Sequence, residues 1–121
     1  SLVIIAGLFS IQGCSFFRGN KDKFTVNIKF AAENNRQKLE DVRVIIGSDK
    51  FWWNSIESGK EESVNLYAEK DAVNNVTLLF KIGGKEMSWE SESFIENADH
   101  RVDLMIDKDG KVTNVICKLP C

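Results

Sequence analysis

The chain has 121 residues but only one histidine and one proline. A single histidine excludes histidine-rich metal sites and the HExxH zinc motif. With one proline, eight glycines and twelve aromatic residues, the composition argues against collagen-like, proline-rich and disordered chains. The net charge of −2 gives no global signature of nucleic-acid binding. Size and composition therefore indicate one globular domain that does not take nucleic acid as its partner.

Residues suited to catalysis are equally scarce. His100 lies in a polar stretch before a predicted strand, where a role in a turn is expected, and the chain has no GxSxG motif. Glu90 and Glu92 would share one face of a strand, but charged outward faces look the same as a carboxylate pair. The sequence Asp107 to Gly110 begins like a calcium loop, yet its glycine is fourth rather than sixth. We therefore predict no enzyme, no metal site and no cofactor.

Charge is absent from the first 17 residues, and all 34 charged side chains follow from Arg18 onward. Leu2 to Ile11 is a run of ten apolar or small residues. At about 1.5 Å per helical residue it spans only half of a bilayer of roughly 30 Å, too little for a transmembrane helix. A short apolar run followed by small residues is typical of an export signal and its cleavage site. The alternative is a buried N-terminal strand or helix.

Ile11-Gln12-Gly13-Cys14 ends this run and resembles the lipobox of the bacterial lipoprotein signal peptide. The resemblance implies that residues 1–13 are a signal peptide that is removed and that Cys14 becomes the lipidated N-terminus. The partner of its acyl chains would be the lipid bilayer. Ser15 after the cysteine resembles the pattern that directs enteric-type lipoproteins to the outer membrane. The expected location is therefore the bacterial envelope, at the outer membrane and facing the periplasm.

The segment after the lipobox has no hydrophobic period and mixes small, polar and charged residues. We interpret residues 14–22 as the lipidated cysteine and a short tether, which reaches about 25–30 Å when fully extended. Residues 23–121 then form a single domain close to the membrane surface.

Three cysteines are an odd number, which leaves one thiol to explain in an exported protein. If Cys14 carries lipid, Cys117 and Cys121 remain, near and at the C-terminus. An oxidising compartment favours a disulfide between them. A two-thiolate metal site is the alternative, but the chain has no second cysteine pair or histidine cluster to complete four ligands. We expect the disulfide to hold the end of the last strand against fraying.

Apolar and polar residues alternate almost throughout from Lys23 onward, and this period of two predicts strands rather than helices. Gly83-Gly84 predicts a two-residue turn and a hairpin whose second strand is Lys85 to Phe94. Residues 107–110 predict a second hairpin, whereas residues 31–41 lack an apolar stripe and predict a loop. The alternating sets are Phe24 to Phe30, Val42 to Ile46, Val64 to Ala68, Val76 to Ile82, Val102 to Ile106 and Val112 to Cys117.

The number and spacing of these segments predict an all-β fold. We expect an antiparallel β-sandwich of about 7–8 strands, either immunoglobulin-like or transthyretin-like.

Phe51, Trp52 and Trp53 are the candidate binding residues. In an extended chain Phe51 and Trp53 face one way and Trp52 the other, so all three cannot enter one core layer. At least one ring should then lie near the surface, as an anchor for a protein partner or a stacking platform for sugar. The alternative is that loops cover both faces.

Negative charge concentrates late in the chain, with eight carboxylates between Glu86 and Asp109. The candidate acidic patch consists of Glu86, Glu90, Glu92 and Glu96.

These features predict a membrane-anchored envelope lipoprotein that acts as a protein-binding or accessory (scaffold) module. One alternative is an exported inhibitor or immunity protein that covers a basic enzyme with its acidic surface. Another is a carbohydrate-binding module that uses an exposed tryptophan.

Overall fold

Eight β-strands make up the fold in this computed structural model, which describes residues 21–33, 36–70, 72–94 and 97–121. The predicted signal peptide and Cys14 lie outside the described residues. The strands are β1 (Lys21–Phe30), β2 (Lys38–Ile46), β3 (Asp49–Glu57), β4 (Glu61–Glu69), β5 (Val76–Ile82), β6 (Lys85–Glu90), β7 (His100–Ile106) and β8 (Val112–Lys118).

The strands form two four-stranded sheets, with the orders β4-β1-β7-β8 and β3-β2-β5-β6. The predicted all-β sandwich is thereby confirmed. All strand pairs are antiparallel except β1 and β7, which run parallel. In an immunoglobulin sandwich the first strand pairs with the second, whereas here β1 lies between β4 and β7. The strand order therefore differs from that of the immunoglobulin sandwich.

Strand β1 shows why these residues fold as strands. Its side chains alternate between buried and partly exposed along its length. Phe24, Val26, Ile28 and Phe30 all point into the core and are at most 1% exposed. The inward residues of the other strands meet them, so that the core is a single apolar layer between the sheets. Alternation of this kind is what a sheet with one buried face requires.

Both predicted hairpins are present. Gly83 and Gly84 have φ of 57° and 79°, the left-handed conformation that a two-residue turn between β5 and β6 requires. In the turn between β7 and β8, a side-chain oxygen of Asp107 accepts hydrogen bonds from the backbone N–H groups of Asp109 and Lys111. That carboxylate thus stabilises a turn rather than a calcium loop.

Strand β2 begins at Lys38, four residues before the alternating set that predicts it. The register of β2 against β5 shifts by one residue between Glu40 and Arg43, and Asp41 has a φ of 48°. Such a bulge inserts one extra residue into a strand and turns its side chains. Leu39 and Val42 are therefore both buried although they are three residues apart. The predicted loop accordingly ends before Lys38.

The C-terminal end of β8 is tied down at two points. Cys117 and Cys121 form the predicted disulfide, with their Cα atoms 6.3 Å apart. The backbone N–H of Leu119 donates to the carbonyl of Asp99, while the side chain of Asp99 accepts from the N–H of Lys23. Asp99 thus joins the start of β1 to the end of the chain.

The two sheets are connected along the side where β3 and β4 are the edge strands. A short turn links these strands, and the N–H of Gly59 in that turn donates to the carbonyl of Phe30. At the other end, the Asp49 carboxylate accepts hydrogen bonds from the N–H groups of Lys50 and Tyr67. Asp49 therefore satisfies an edge N–H of β4 and holds one sheet against the other.

The structure contains no helix among its described residues that is long and apolar enough to cross a membrane.

Replacing Asp49 by alanine should lower the free energy of unfolding by about 1–2 kcal/mol, because the N–H of Tyr67 loses its acceptor. Urea denaturation monitored by tryptophan fluorescence measures this. Glu57→Ala removes an exposed carboxylate from the same strand and is the matched control, with an expected change within about 0.5 kcal/mol. Equal destabilisation by both variants would show that Asp49 does not hold the sheets together.

Candidate functional site

The three candidate binding residues lie on β3, an edge strand, and alternate as the sequence predicts. Phe51 pairs with Val44 and Trp53 with Val42, two residues whose side chains are buried. Trp52 pairs with Arg43, which is exposed. Phe51 and Trp53 therefore face inward, whereas Trp52 faces outward.

The two inward rings cover the edge of the core. The ring centroids of Phe51 and Trp53 are 4.8 Å apart, with the planes inclined at 64° in an edge-to-face contact. Trp53 is half-buried and packs against the core, while Phe51 is exposed at the strand edge. Edge-to-face aromatic pairs add stability beyond the area they bury. Their main role is accordingly in packing.

Trp52 is 58% exposed on the outer face of the β3-β2-β5-β6 sheet. The residues that lie beside Trp52 on successive strands are Arg43 on β2, Leu79 on β5 and Ser88 on β6, the strand at the far edge. This exposure excludes the alternative in which loops cover both faces of β3. A large, rigid aromatic ring therefore stands on an open sheet surface.

Charged side chains surround this ring in a shallow pocket. The ammonium of Lys81 lies 3.3 Å from the Asp41 carboxylate and 4.0 Å from that of Glu86. Exposed ion pairs of this kind contribute little to stability, but they fix the positions of charge around the ring. We call this the Trp52 surface, which consists of Asp41, Arg43, Trp52, Lys81 and Glu86.

The bulge in β2 shapes the Trp52 surface. The extra residue brings Asp41 to the outer face, where it reaches Lys81 of the neighbouring strand. Asp41 is the only non-glycine residue with positive φ in the described part of the chain. Aspartate tolerates this conformation better than most side chains. The surface is therefore built from residues that are distant in sequence.

The outer face of the other sheet differs, because its polar side chains bind one another. The amide of Asn27 donates to Asp103 at 2.8 Å, and Arg101 lies 3.0 Å from the same carboxylate. Ser63 in turn donates to Asn27. Val115 and Met105 are the exposed apolar residues of this face.

The acidic patch is divided among different environments. Glu86 belongs to the Trp52 surface, and Glu90 accepts a hydrogen bond from the amide of Asn75. Strand β6 ends at Glu90, so Glu92 lies beyond it and is exposed. The expected strand from Lys85 to Phe94 is therefore too long, and Glu90 and Glu92 do not share a strand face. Glu96 lies outside the described residues.

Strand β6 ends early because the chain turns to make another contact. The backbone groups of Phe94 exchange two hydrogen bonds with those of Asn74, at 2.8 and 2.9 Å. Ser91 caps the start of β5 through its hydroxyl, which accepts from the N–H of Val76. These contacts hold the segment after β6 across the end of the sandwich.

His100 is a buried residue rather than the turn residue that the sequence suggests. It is the first residue of β7 and is 3% exposed. Its ring stacks on Phe24 with centroids 4.9 Å apart, and Nδ1 lies 2.9 Å from the carbonyl oxygen of Ala98. The signal that was missed is the period of two, which places His100 on the same face as Val102 and Leu104.

Within residues 21–33, 36–70, 72–94 and 97–121, no three histidine, cysteine, aspartate or glutamate side chains come together as metal ligands.

Trp52→Ala should change the free energy of unfolding by no more than about 0.5 kcal/mol, because the ring is mostly in solvent. Trp53→Ala should cost about 2 kcal/mol or more, because it removes apolar contacts with the core. Thermal and urea unfolding of both variants measure the difference. A large loss of stability in Trp52→Ala would mean that the ring has a structural role.

Comparison of the chain with known protein families, with curated proteins and with solved structures finds no match. The functional argument consequently depends on the residues and their geometry. Its central element is the Trp52 surface, in which an exposed indole ring lies among two cations and two carboxylates on an open sheet face.

Proposed function

We propose that the protein is a bacterial envelope lipoprotein that acts as a protein-binding module and docks its partner on the Trp52 surface. The observation that carries the proposal is the exposure of Trp52, at 58%, on the outer face of the β3-β2-β5-β6 sheet. Tryptophan and arginine are the residue types most enriched among the side chains that dominate protein interfaces. Trp52 and Arg43 lie directly opposite each other on neighbouring strands.

The energy available from this ring is large enough for recognition. An aromatic side chain buries about 150–250 Å² in total, of which roughly half is open to solvent here. At about 25 cal/mol per Å², covering the remainder contributes about 2–3 kcal/mol to binding. That contribution corresponds to roughly a hundredfold in affinity.

The charges around Trp52 would orient the partner rather than attract it from a distance. Arg43 and Lys81 balance Asp41 and Glu86, so the Trp52 surface has no net charge. Fixed charges of both signs favour one docking orientation and penalise misaligned partners. A protein surface with an apolar pocket and complementary charges fits this arrangement.

The lipid anchor rests on the resemblance of residues 11–14 to the lipobox. Two or three acyl chains on Cys14 would make membrane attachment effectively permanent. Between Cys14 and the start of β1 the chain reaches at most about 25 Å. The module would therefore search for partners at the membrane surface, in the periplasm under the outer membrane.

A carbohydrate-binding module is the second candidate, because an exposed indole ring can stack on a sugar while neighbouring charged groups bind its hydroxyls. Asp41 and Arg43 are the residues nearest to such a role. The inhibitor or immunity protein is less well supported. Glu86 already pairs with Lys81, which reduces the charge that a basic enzyme would meet at that position.

Crosslinking in intact cells followed by affinity purification tests the proposed docking. We expect one specific envelope protein to be recovered with the wild-type chain and at least tenfold less with Trp52→Ala. Val73→Ala is the matched control, because Val73 is 65% exposed in the connection between β4 and β5, away from the Trp52 surface. It should recover as much partner as the wild-type chain.

Recovery of no specific protein partner, or equal recovery with Trp52→Ala, would contradict the proposed docking. Affinity for a sugar polymer that Trp52→Ala abolishes, without any crosslinked protein, would favour the second candidate instead.

Replacing Cys14 by serine tests the anchor. We expect the variant to leave the membrane fraction and to lose metabolic labelling with palmitate, because no thiol remains to accept lipid. The double variant Cys117→Ser, Cys121→Ser should keep both the label and the membrane location. Palmitate labelling that survives Cys14→Ser would contradict the lipobox assignment.

A further inference from the structure

Strand β8 is the edge of the β4-β1-β7-β8 sheet, and among the described strands it pairs only with β7. On the other side of the sandwich, the edges β3 and β4 are connected by a turn and by Asp49. No described residue forms a comparable connection between the edges β6 and β8. Met87 of β6 packs against Gly110 in the turn before β8. The sandwich is therefore open along this side only beyond that turn.

The hydrogen-bond pattern shows which backbone groups of β8 face the open side. The N–H of Asp107 donates to the carbonyl of Lys111, and the N–H of Leu119 donates to that of Asp99. Both pairs fit the β7–β8 register, and hydrogen-bonded pairs alternate along an antiparallel ladder. The odd-numbered residues of β8 thus bond to β7. The free N–H and C=O groups belong to Val112, Asn114, Ile116 and Lys118.

A cleft of about 490 Å³ lies between this free edge and the segment after β6. Its apolar wall is formed by Trp89, Phe94 and Ile116, which are only partly buried, and His100 also lines it. Glu90 and Glu92 line the β6 side and Lys118 lines the β8 side, so these charged side chains leave a net charge of −1 that lies toward β6. The cleft thus combines an apolar wall, an acidic rim and an unpaired strand edge.

We propose that β8 receives an extended segment of a partner protein, which adds to the sheet as a fifth strand. Its backbone pairs with the free groups of Val112, Asn114 and Ile116. Alternate apolar side chains of the segment enter the cleft, and a lysine or arginine lies beside Glu90 and Glu92. Main-chain hydrogen bonds give such strand addition its affinity, and side-chain pockets give it specificity.

The composition of β8 fits this role. Thr113 to Ile116 carries no charge, and Val115 is 59% exposed. Edge strands that avoid pairing normally carry charges or bulges, which are absent from the centre of β8. The edge of β6, by contrast, carries the carboxylates of Glu86 and Glu90.

A second copy of the chain fits less well than a basic segment. Antiparallel pairing of two β8 strands about a two-fold axis would place both β3-β2-β5-β6 sheets on the same side of the joined sheet. The acidic β6 edges of the two copies would then approach each other, and like charges repel. The carboxylates Glu90 and Glu92 are instead complementary to a cationic side chain.

This site is distinct from the Trp52 surface, because the two share no lining residue and Trp52 itself lies on β3, at the opposite edge of its sheet from β6. The inference therefore does not depend on the proposed docking. Trp52→Ala should leave binding at β8 unchanged, so that failure of one proposal is distinguishable from failure of the other.

Amide hydrogen exchange with a synthetic probe tests the proposal. The probe is a peptide of alternating valine and threonine with lysine at each end, about nine residues long to match the strand. We expect it to slow exchange at the free-edge amides of Val112, Asn114 and Ile116 by at least tenfold. A twin peptide with glutamate in place of lysine should protect them less, and high salt should reduce the difference.

Two variants at one position check the mode of binding. Asn114→Pro removes a free-edge N–H but no bond to β7, so it should abolish protection while the melting temperature stays close to that of the wild type. Asn114→Lys keeps the N–H and places a cation in the cleft, and should weaken binding of the lysine probe more than that of its glutamate twin.

Three results would overturn the proposal: no protection of β8 by the lysine probe, unchanged protection in both Asn114 variants, or protection without probe that increases with protein concentration. The last result would identify a second copy as the occupant of this edge.

Discussion

Burial of one face of β1 is the constraint on which the remaining structure depends. One side of β1 is apolar, because it consists of Phe24, Val26, Ile28 and Phe30. The strand is also paired along both edges, with β4 and with β7. Since both of its edges are occupied, β1 can be covered only from above, by a second sheet. The β3-β2-β5-β6 sheet supplies that cover, and its own outer face is thereby directed to solvent with Trp52 on it.

Much of the fold follows from periodicity, and the departures have physical causes. Strand β1 alternates strictly from Phe24 onward and is visible in the sequence. Strand β5 is also visible, because its buried residues recur at every second position from Val76 to Phe80. So is the turn at Gly83-Gly84. The start of β2 is hidden because the bulge at Asp41 puts Leu39 and Val42 on one face, which breaks the period. The parallel pairing of β1 with β7 is also hidden, because alternation records the face of a residue and not the direction of its neighbour.

In the candidate site, too, some features follow from the sequence pattern and others depend on how distant strands pair. That Trp52 opposes its two aromatic neighbours follows from strand geometry alone, but its exposure depends on the loops that leave the outer face open. Lys81 joins Asp41 through sheet pairing between distant strands, which a single sequence does not encode locally. The burial of His100 could have been predicted from the sequence, because His100 alternates in phase with Val102 and Leu104. Its polar neighbours Asp99 and Arg101 concealed that phase.

The hydrogen bonds of Asp99 bring two parts of the chain to the same end of the sandwich. Because this residue holds both the start of β1 and the end of the chain, the first described residue and the C-terminus lie at one pole of the sandwich. The turns after β3, β5 and β7 lie at the opposite pole, roughly 30 Å away by the length of β1. The chain that precedes Lys21 therefore enters the domain at the pole of the C-terminus. Both outer sheet faces run along the sides of the molecule, away from that entry point.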